Sequence, residues 1–307
     1  MSCFLGIDTS NYTTSVCLYD NESGEVISLR KLLPVKKGEK GLRQSDAVFH
    51  HTQQLAPLTE ELFSRFDKKI GAIGVSYAPR TEEGSYMPCF TVGENTARIL
   101  SSALNIPLYR FSHQQGHIAA ALYSIDRLDL IGQPHIAFHI SGGTTEAILV
   151  NADDRLLSTR IIAKTLDLNA GQLIDRVGVM LGLSFPCGKE LERLALCCTE
   201  KIKVRPTLKG GDCCLSGGEN QCRKLLESGK SPVYIARYAI EYILSAVDAM
   251  TSKITEDYPG LPIVFAGGVM SDSIIRDAMT AKYDCLFSKP EFSSDNAAGV
   301  AVLASLA

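Results

Sequence analysis

Apolar runs interrupted by small polar residues divide this chain into strand-turn-strand and strand-helix units. Residues 5 to 18, LGIDTSNYTTSVCL, and residues 137 to 150, AFHISGGTTEAILV, share one pattern. In each, an apolar strand leads into a turn of Ser, Asn or Gly, then into Thr-Thr or Thr-Ser, and then into a second apolar strand. This pattern predicts a β-hairpin at both places, with turns small enough for the backbone to approach an anion closely. Matching hairpins predict two duplicated lobes.

Between the hairpins, Val48, Leu55, Leu58, Leu62 and Phe66 recur at helical spacing over 47–66, and GAIGVSYA at 71–78 reads as a buried strand. A Gly/Pro-rich loop over 79–90 leads to a helix from Thr91 to Leu104, with Asn105 and Pro107 as stop signals. A strand over 106–111 comes next, and Ser112 is the expected N-cap of the helix after it. Beyond the second hairpin, 170–184 and 188–200 predict two helices joined by a turn through Pro186 that no helix could cross. Residues 234–257 give the longest helical pattern, PIVFAGGVMSDSIIRDAM gives strand, glycine turn and helix, and the final helix opens near Ser294 or Asp295. The alternation of strands and helices predicts an α/β fold. The expected organisation is an N-terminal lobe over 1–112, completed by a C-terminal helix over 294–307, and a second lobe over 113–293. A helical insertion over about 170–232 is expected in the second lobe.

The length of 307 residues agrees with two lobes, because single cores stop growing near that size. Hydrophobic residues at 45% and charged residues at 21% are an ordinary globular balance. Net charge is −3, so no global cationic field points to nucleic acid, and RNA contact would need a local patch or a partner protein. Neither a signal-peptide pattern nor an apolar run of about 18 residues is found, which predicts a cytoplasmic protein with no membrane association. The ten cysteines are therefore expected to be free thiols. Six lie between Cys187 and Cys222, but none form a C-x-x-C pair, which argues against a zinc finger.

His113 and His117 stand four apart on a predicted helix, so both imidazoles share one face and are suited to a common metal ion. A third ligand is needed. His139, on the strand entering the second hairpin, and Asp295, ahead of the final helix, are the candidates. Gln114 comes directly after His113, so the H-E-x-x-H protease pattern is absent. At 265–269, FAGGV sets two glycines between strand and helix, where a backbone can approach a nucleotide beside a helix N-terminus.

With these elements in order, the sequence resembles the TsaD-type tRNA N6-adenosine threonylcarbamoyltransferases, once filed as O-sialoglycoprotein endopeptidases, of the actin-like (sugar kinase, Hsp70 and actin) fold. The resemblance rests on GIDTSNYTTSV, TVGENTARIL, SHQQGHIAAAL, HISGGTTEAIL, NAGQLIDRVGVMLGLSFPCG, FAGGVMSDSIIR and SSDNAAGVAVLA, and covers nearly the whole chain. It implies an acyltransferase that binds ATP or threonylcarbamoyl-AMP between its lobes. With TsaB-like and TsaE-like partners, and as a dimer or heterocomplex, it would move the threonylcarbamoyl group to N6 of adenosine 37 in ANN-decoding tRNA. It also implies a divalent ion, iron or zinc, held by His113, His117 and Asp295, with His139 where some relatives place a tyrosine ligand. The implied nucleotide contacts are Ile140, Ser141, Gly142, Gly143, Asp175, Gly188, Gly267, Gly268 and Asp272. The chain departs from the family pattern at Tyr12-Thr13, where relatives carry Asp-Glu, at Thr144, at Leu168-Asn169 and Gln172, at Cys187, and at Asp272 in place of asparagine. These departures leave open a paralogue that binds ATP and regulates or assembles a complex without transferase activity.

Overall fold

The computed structural model describes residues 3–10, 12–34, 42–65, 68–153, 156–292 and 297–307. The chain forms two compact units, one of residues 1–133, 151–159 and 291–307 and the other of residues 134–150 and 160–290. The first contains β1 (Cys3–Ser10), β2 (Thr13–Asp20), β3 (Glu25–Leu32), α1 (Gln44–Ser64), β4 (Ile70–Ala78), α2 (Phe90–Leu104), β5 (Leu108–Ser112) and α3 (His113–Ser124). The second opens with β6 (His135–Ile140), β7 (Thr145–Asn151) and β8 (Ser158–Lys164), followed by α4 (Ala170–Met180) and α5 (Gly188–Leu196). It continues through β9 (Leu208–Lys209), β10 (Asp212–Cys213), α6 (Ser216–Glu227), α7 (Pro232–Asp257), β11 (Ile263–Ala266), α8 (Ser273–Lys282) and β12 (Cys285–Phe287). The final helix, α9 (Ala297–Leu306), belongs to the first unit.

The duplication expected from the hairpins is present in the strand order. One sheet runs β3-β2-β1-β4-β5 and the other, read in the matching direction, β8-β7-β6-β11-β12. In each, an antiparallel hairpin (β1 with β2, β6 with β7) lies beside parallel strands that helices connect. Parallel neighbours require such crossovers.

In the first unit, Leu5, Ile7, Val16, Ile73 and Val75 from the sheet meet Leu55, Leu58, Leu62 and Ala97 from α1 and α2. The opposite side is covered by α9, whose residues from Ala297 to Ala304 are all buried. Small residues permit that approach. A Cβ on Gly6 of β1 would lie 1.9 Å from the Ala297 carbonyl oxygen, and one on Gly74 of β4 would lie 2.0 Å from that of Val300. One on Gly299 would lie 1.8 Å from the carbonyl oxygen of Gly116, in α3.

The second unit has one core that runs from Ile136, Phe138 and Phe265 of its sheet through Leu173, Val177, Leu191 and Cys222 to Ile235, Ile243 and Met250 of α7. The segment expected as a helical insertion is therefore part of this core. It also carries the β9–β10 ribbon.

Other differences have local causes. The first unit extends to Gln133, beyond the expected boundary at 112, because α3 packs on α9. α4 stops at Met180, where Gly182, at φ 84°, turns the chain and the Leu183 amide returns to the Gly178 carbonyl. α5 stops at Leu196. β3 and β8 were not anticipated; they are edge strands with few buried positions, so the apolar signal is weak there. α6 was also not anticipated. Phe66, Ser294 and Asp295 lie outside the described residues. All ten cysteines are free thiols. Among the described residues, no helix is long and apolar enough to cross a membrane.

Candidate functional site

In the first unit, Asp8 near the end of β1 is fully buried, a costly place for a carboxylate unless it is paired. Its partner is His113, the first residue of α3, whose Nδ1–H donates to Asp8 Oδ2 at 2.7 Å. The Ser10 amide donates to the other oxygen, also at 2.7 Å. Burial works to raise the Asp8 carboxyl, but the neighbouring His113 and the hydrogen bonds from His113 and Ser10 outweigh it and hold the group below its usual range. The carboxylate is thus fixed as an acceptor and keeps the His113 proton on Nδ1.

The start of α3 is itself fixed by a capping box. Ser112 Oγ accepts from the Gln115 amide at 3.2 Å, and Gln115 Oε1 accepts from the Ser112 amide at 2.7 Å. One turn on, the His117 ring lies 4.6 Å from that of His113, edge to face. The Phe90 ring, at the start of α2, lies 5.9 Å from His113 on another side.

This arrangement fits an ion at the histidine pair. A carboxylate that holds Nδ1–H directs the Nε2 lone pair of His113 outward, as in metal-bound histidines backed by a carboxylate. His113 and His117 are brought together as the sequence predicted. Asp295 lies outside the described residues, and His139 stands on β6 of the second unit. Among the described residues, no group of three or more His, Cys, Asp or Glu side chains is arranged around a common metal position. Asp8 escaped the sequence reading, although a lone carboxylate within an otherwise apolar strand was the available signal.

In the second unit, the turn after β6 is built from Ile140, Ser141, Gly142 and Gly143. Ser141 Oγ accepts from the Gly143 and Thr144 amides at 3.3 and 3.2 Å, long bonds that partly occupy the donors expected to face an anion. A Cβ on Gly142, Gly143 or Gly268 would meet nothing within 4 Å, so open space lies over these positions. Behind the turn the packing is tight. A Cβ on Gly171 would lie 2.6 Å from the Gly142 nitrogen, and Asn169 Nδ2 donates to the Gly143 carbonyl at 3.0 Å. Gly267, at φ 101° in a region open only to glycine, backs onto the Ile140 carbonyl, which an added Cβ would approach to 2.2 Å. The hairpin turn, the FAGGV turn and the start of α4 therefore form one continuous surface.

Asp175 on α4 accepts from the Cys187 amide at 2.9 Å, which ties α4 to Gly188, the first residue of α5. Further along α5, Glu192 accepts from both the amide and the hydroxyl of Ser273, next to Asp272. Asp175 also lines a pocket of about 500 Å³ with Val179, Met180, Phe185 and Arg223, a size suited to a nucleoside. Asp272 is largely occupied as the N-cap of α8, accepting from the Ile274 and Ile275 amides at 3.0 and 3.2 Å. Asn169 and Cys187, whose family positions differ here, were not anticipated as the residues that lock these turns together.

Burial, assisted by Glu192, pushes the Asp272 carboxyl up to about 6, against the pull of the two amides and Arg237. A carboxyl that binds its proton more tightly folded than unfolded loses stability as pH rises from about 4 towards 6, and carries the full cost above that. Asp272→Asn keeps a capping side chain and removes the charge. It is expected to stabilise the protein by about 2 kcal/mol at pH 7.5, with the difference vanishing near pH 4. Denaturant unfolding across this range measures it; a variant no more stable than the parent at pH 7.5 contradicts the assignment.

The profile of the TsaD family, described as tRNA N6-adenosine threonylcarbamoyltransferase, matches residues 33–302. A probable bifunctional tRNA threonylcarbamoyladenosine biosynthesis protein of Methanothermobacter thermautotrophicus is 29% identical over 98% of this chain. The chain spans about half of that protein's length, 55%. A tRNA N6-adenosine threonylcarbamoyltransferase of Thiobacillus denitrificans is 28% identical over 97% of this chain and 88% of its own length. Among solved structures, full-length HypF matches 99% of this chain and 55% of its own with a TM-score of 0.61 at 13% identity. A polyphosphate/ATP-glucomannokinase of Arthrobacter matches 100% and 99% with a TM-score of 0.52 at 11% identity. The fold is the actin-like ATPase and sugar kinase fold.

Proposed function

Because the chain belongs to the TsaD family of tRNA N6-adenosine threonylcarbamoyltransferases, we propose that it transfers the threonylcarbamoyl group from threonylcarbamoyl-AMP to N6 of adenosine 37 in ANN-decoding tRNA. The observation that supports this reading is the His113–His117 pair backed by buried Asp8, an arrangement that would suit a divalent ion on a family scaffold. In this reading His113 and His117 would hold a divalent ion, iron or zinc, with Asp295 as a further candidate ligand. When bound, such an ion would supply Lewis-acid stabilisation of developing negative charge. Asp8 fixes the proton and orientation of His113. The turn Ile140–Gly143 and the glycines at 267 and 268 receive the phosphate, while Asp175, Gly188 and Asp272 position the nucleoside. In the transfer, the adenosine amine forms a bond to the carbamoyl carbon, AMP leaves with the electron pair of the broken bond, and the amine proton passes to solvent or to a basic group. TsaB-like and TsaE-like proteins are the expected partners, in a cytoplasmic dimer or heterocomplex.

A second reading, an ATP-binding regulatory or assembly protein, is favoured by one observation. The first hairpin turn carries Tyr12 and Thr13 where relatives carry two carboxylates, and Tyr12 is largely exposed. The two readings separate in one assay. Purified protein combined with threonylcarbamoyl-AMP, unmodified tRNA and its partner proteins is expected to yield the modified nucleoside by mass spectrometry. Absence of product, while a bacterial relative works in parallel, selects the second reading.

A further inference from the structure

In the second unit, residues 201–209, KIKVRPTLK, lie between α5 and β9 and have regular structure only at Leu208–Lys209. Burial alternates along the segment. Lys201, Lys203, Arg205, Thr207 and Lys209 are exposed, while Ile202, Val204, Pro206 and Leu208 are half-buried. Val204 and Leu208 pack on the core of the unit, and Ile202, Lys203 and Arg205 line a groove of about 440 Å³ together with Glu241, Leu244 and Asp248. Four cations therefore occupy exposed positions of the segment at two- and four-residue intervals.

Two of the surrounding carboxylates are already in ion pairs, and a third accepts from a backbone amide. Glu241 pairs with Arg237 at 2.7 Å, Asp248 with Lys282 at 2.6 Å, and Asp212 accepts from the Lys164 amide at 2.8 Å. None of the four cations of the row has an ion-pair partner among the described residues. On a chain of net charge −3 this row is a local concentration of exposed cations, of which Lys209 stands opposite Asp212 in the β9–β10 ribbon.

Its far end is tied to the candidate ligand surface. The Cys214 amide donates to the Thr207 carbonyl, and Cys213 bridges to Thr165. Thr165 in turn donates its amide to the Thr145 carbonyl. Asp167 binds the Leu215 amide and the Ser216 hydroxyl just before Asn169 reaches the Gly143 carbonyl. The row thus leads toward the Ser141–Thr144 turn through fixed backbone.

We infer that the 201–209 row is a docking strip for an RNA phosphodiester backbone. Naming tRNA as that RNA rests on the transferase reading above. Binding of an unmodified tRNA transcript to the full-length protein, measured by fluorescence anisotropy between 50 and 200 mM salt, tests the strip. Neutralising four phosphate contacts with Lys201→Gln, Lys203→Gln, Arg205→Gln and Lys209→Gln is expected to flatten the slope of log affinity against log salt by about 3. A control protein with Lys31, Lys69, Arg98 and Lys224 changed to Gln is expected to change that slope by less than about 1. Equal slopes for strip and control variants overturn the strip, as does a parent chain that binds no tRNA. If the strip variant keeps its tRNA slope while the parent still modifies tRNA, the strip falls and the transferase reading stands. If the strip variant loses the slope but the parent yields no modified nucleoside, the transferase reading falls and the strip stands.

Discussion

Replacing both His113 and His117 with alanine is expected, on the transferase reading proposed above, to abolish binding of a divalent ion and to lower formation of the modified nucleoside by at least about a hundredfold. Elemental analysis of the purified protein and mass spectrometry of the tRNA product measure the two effects. The expectation rests on geometry. The rings stand one helical turn apart on α3, and the first is held by a carboxylate that has no other evident reason to be buried. Asp8→Asn separates holding from binding. It leaves both imidazoles in place but removes the negative charge and one of the two acceptor oxygens that serve His113 and Ser10, and is expected to weaken metal affinity by about 10- to 100-fold. A double-alanine variant that retains stoichiometric metal moves the site elsewhere in the chain.

Gly299→Val is expected to destabilise the protein by about 3 kcal/mol, at the upper end for overpacking, and to lower the melting temperature by about 10 °C. The new Cβ would fall 1.8 Å from the Gly116 carbonyl oxygen, and backbone cannot rotate away as a side chain can. Gly116 lies between the two histidines on α3, so relief of the clash by movement of α3 would also shift the ion site. Loss of stability and loss of metal are therefore expected together. Gly132→Ala, where an added Cβ meets nothing within 4 Å, is expected to stay within about 0.5 kcal/mol of the parent. Thermal unfolding of both variants provides the measurement; a Gly299→Val protein as stable as its parent means that α9 does not seat on α3 in this way.

Features governed by short-range pattern were legible in the sequence. Both hairpins, the parallel strands beside them, Ser112 as a cap and the histidine pair arise from periodicity and residue type, and the strand order of the two sheets repeats as their likeness suggested. Features that depend on distant partners were harder to read. Asp8 and His113 are far apart in the chain, and only the fold brings them within a hydrogen bond. Asp272 looked like a ligand contact by position, yet its oxygen is engaged by the first turn of α8. The cationic row was hidden because charge was summed over the chain. Its significance lies in the alternation of burial from Lys201 to Lys209, which depends on the core that the apolar side packs against.

The place of α9 in the first unit has a consequence for how the protein is made. β1, β4 and α3 emerge from the ribosome early, but the helix that covers them comes only after the whole second unit has been synthesised. The second unit, continuous apart from a short excursion, can close its core first, reversing the usual order in which an N-terminal domain folds ahead of a C-terminal one. During that interval Gly6 and Gly74 line an uncovered apolar face, the kind of surface that chaperones retain and proteases find. A nonsense mutation just upstream of Ala297 would leave the second unit intact while denying the histidine pair the helix against which α3 is held.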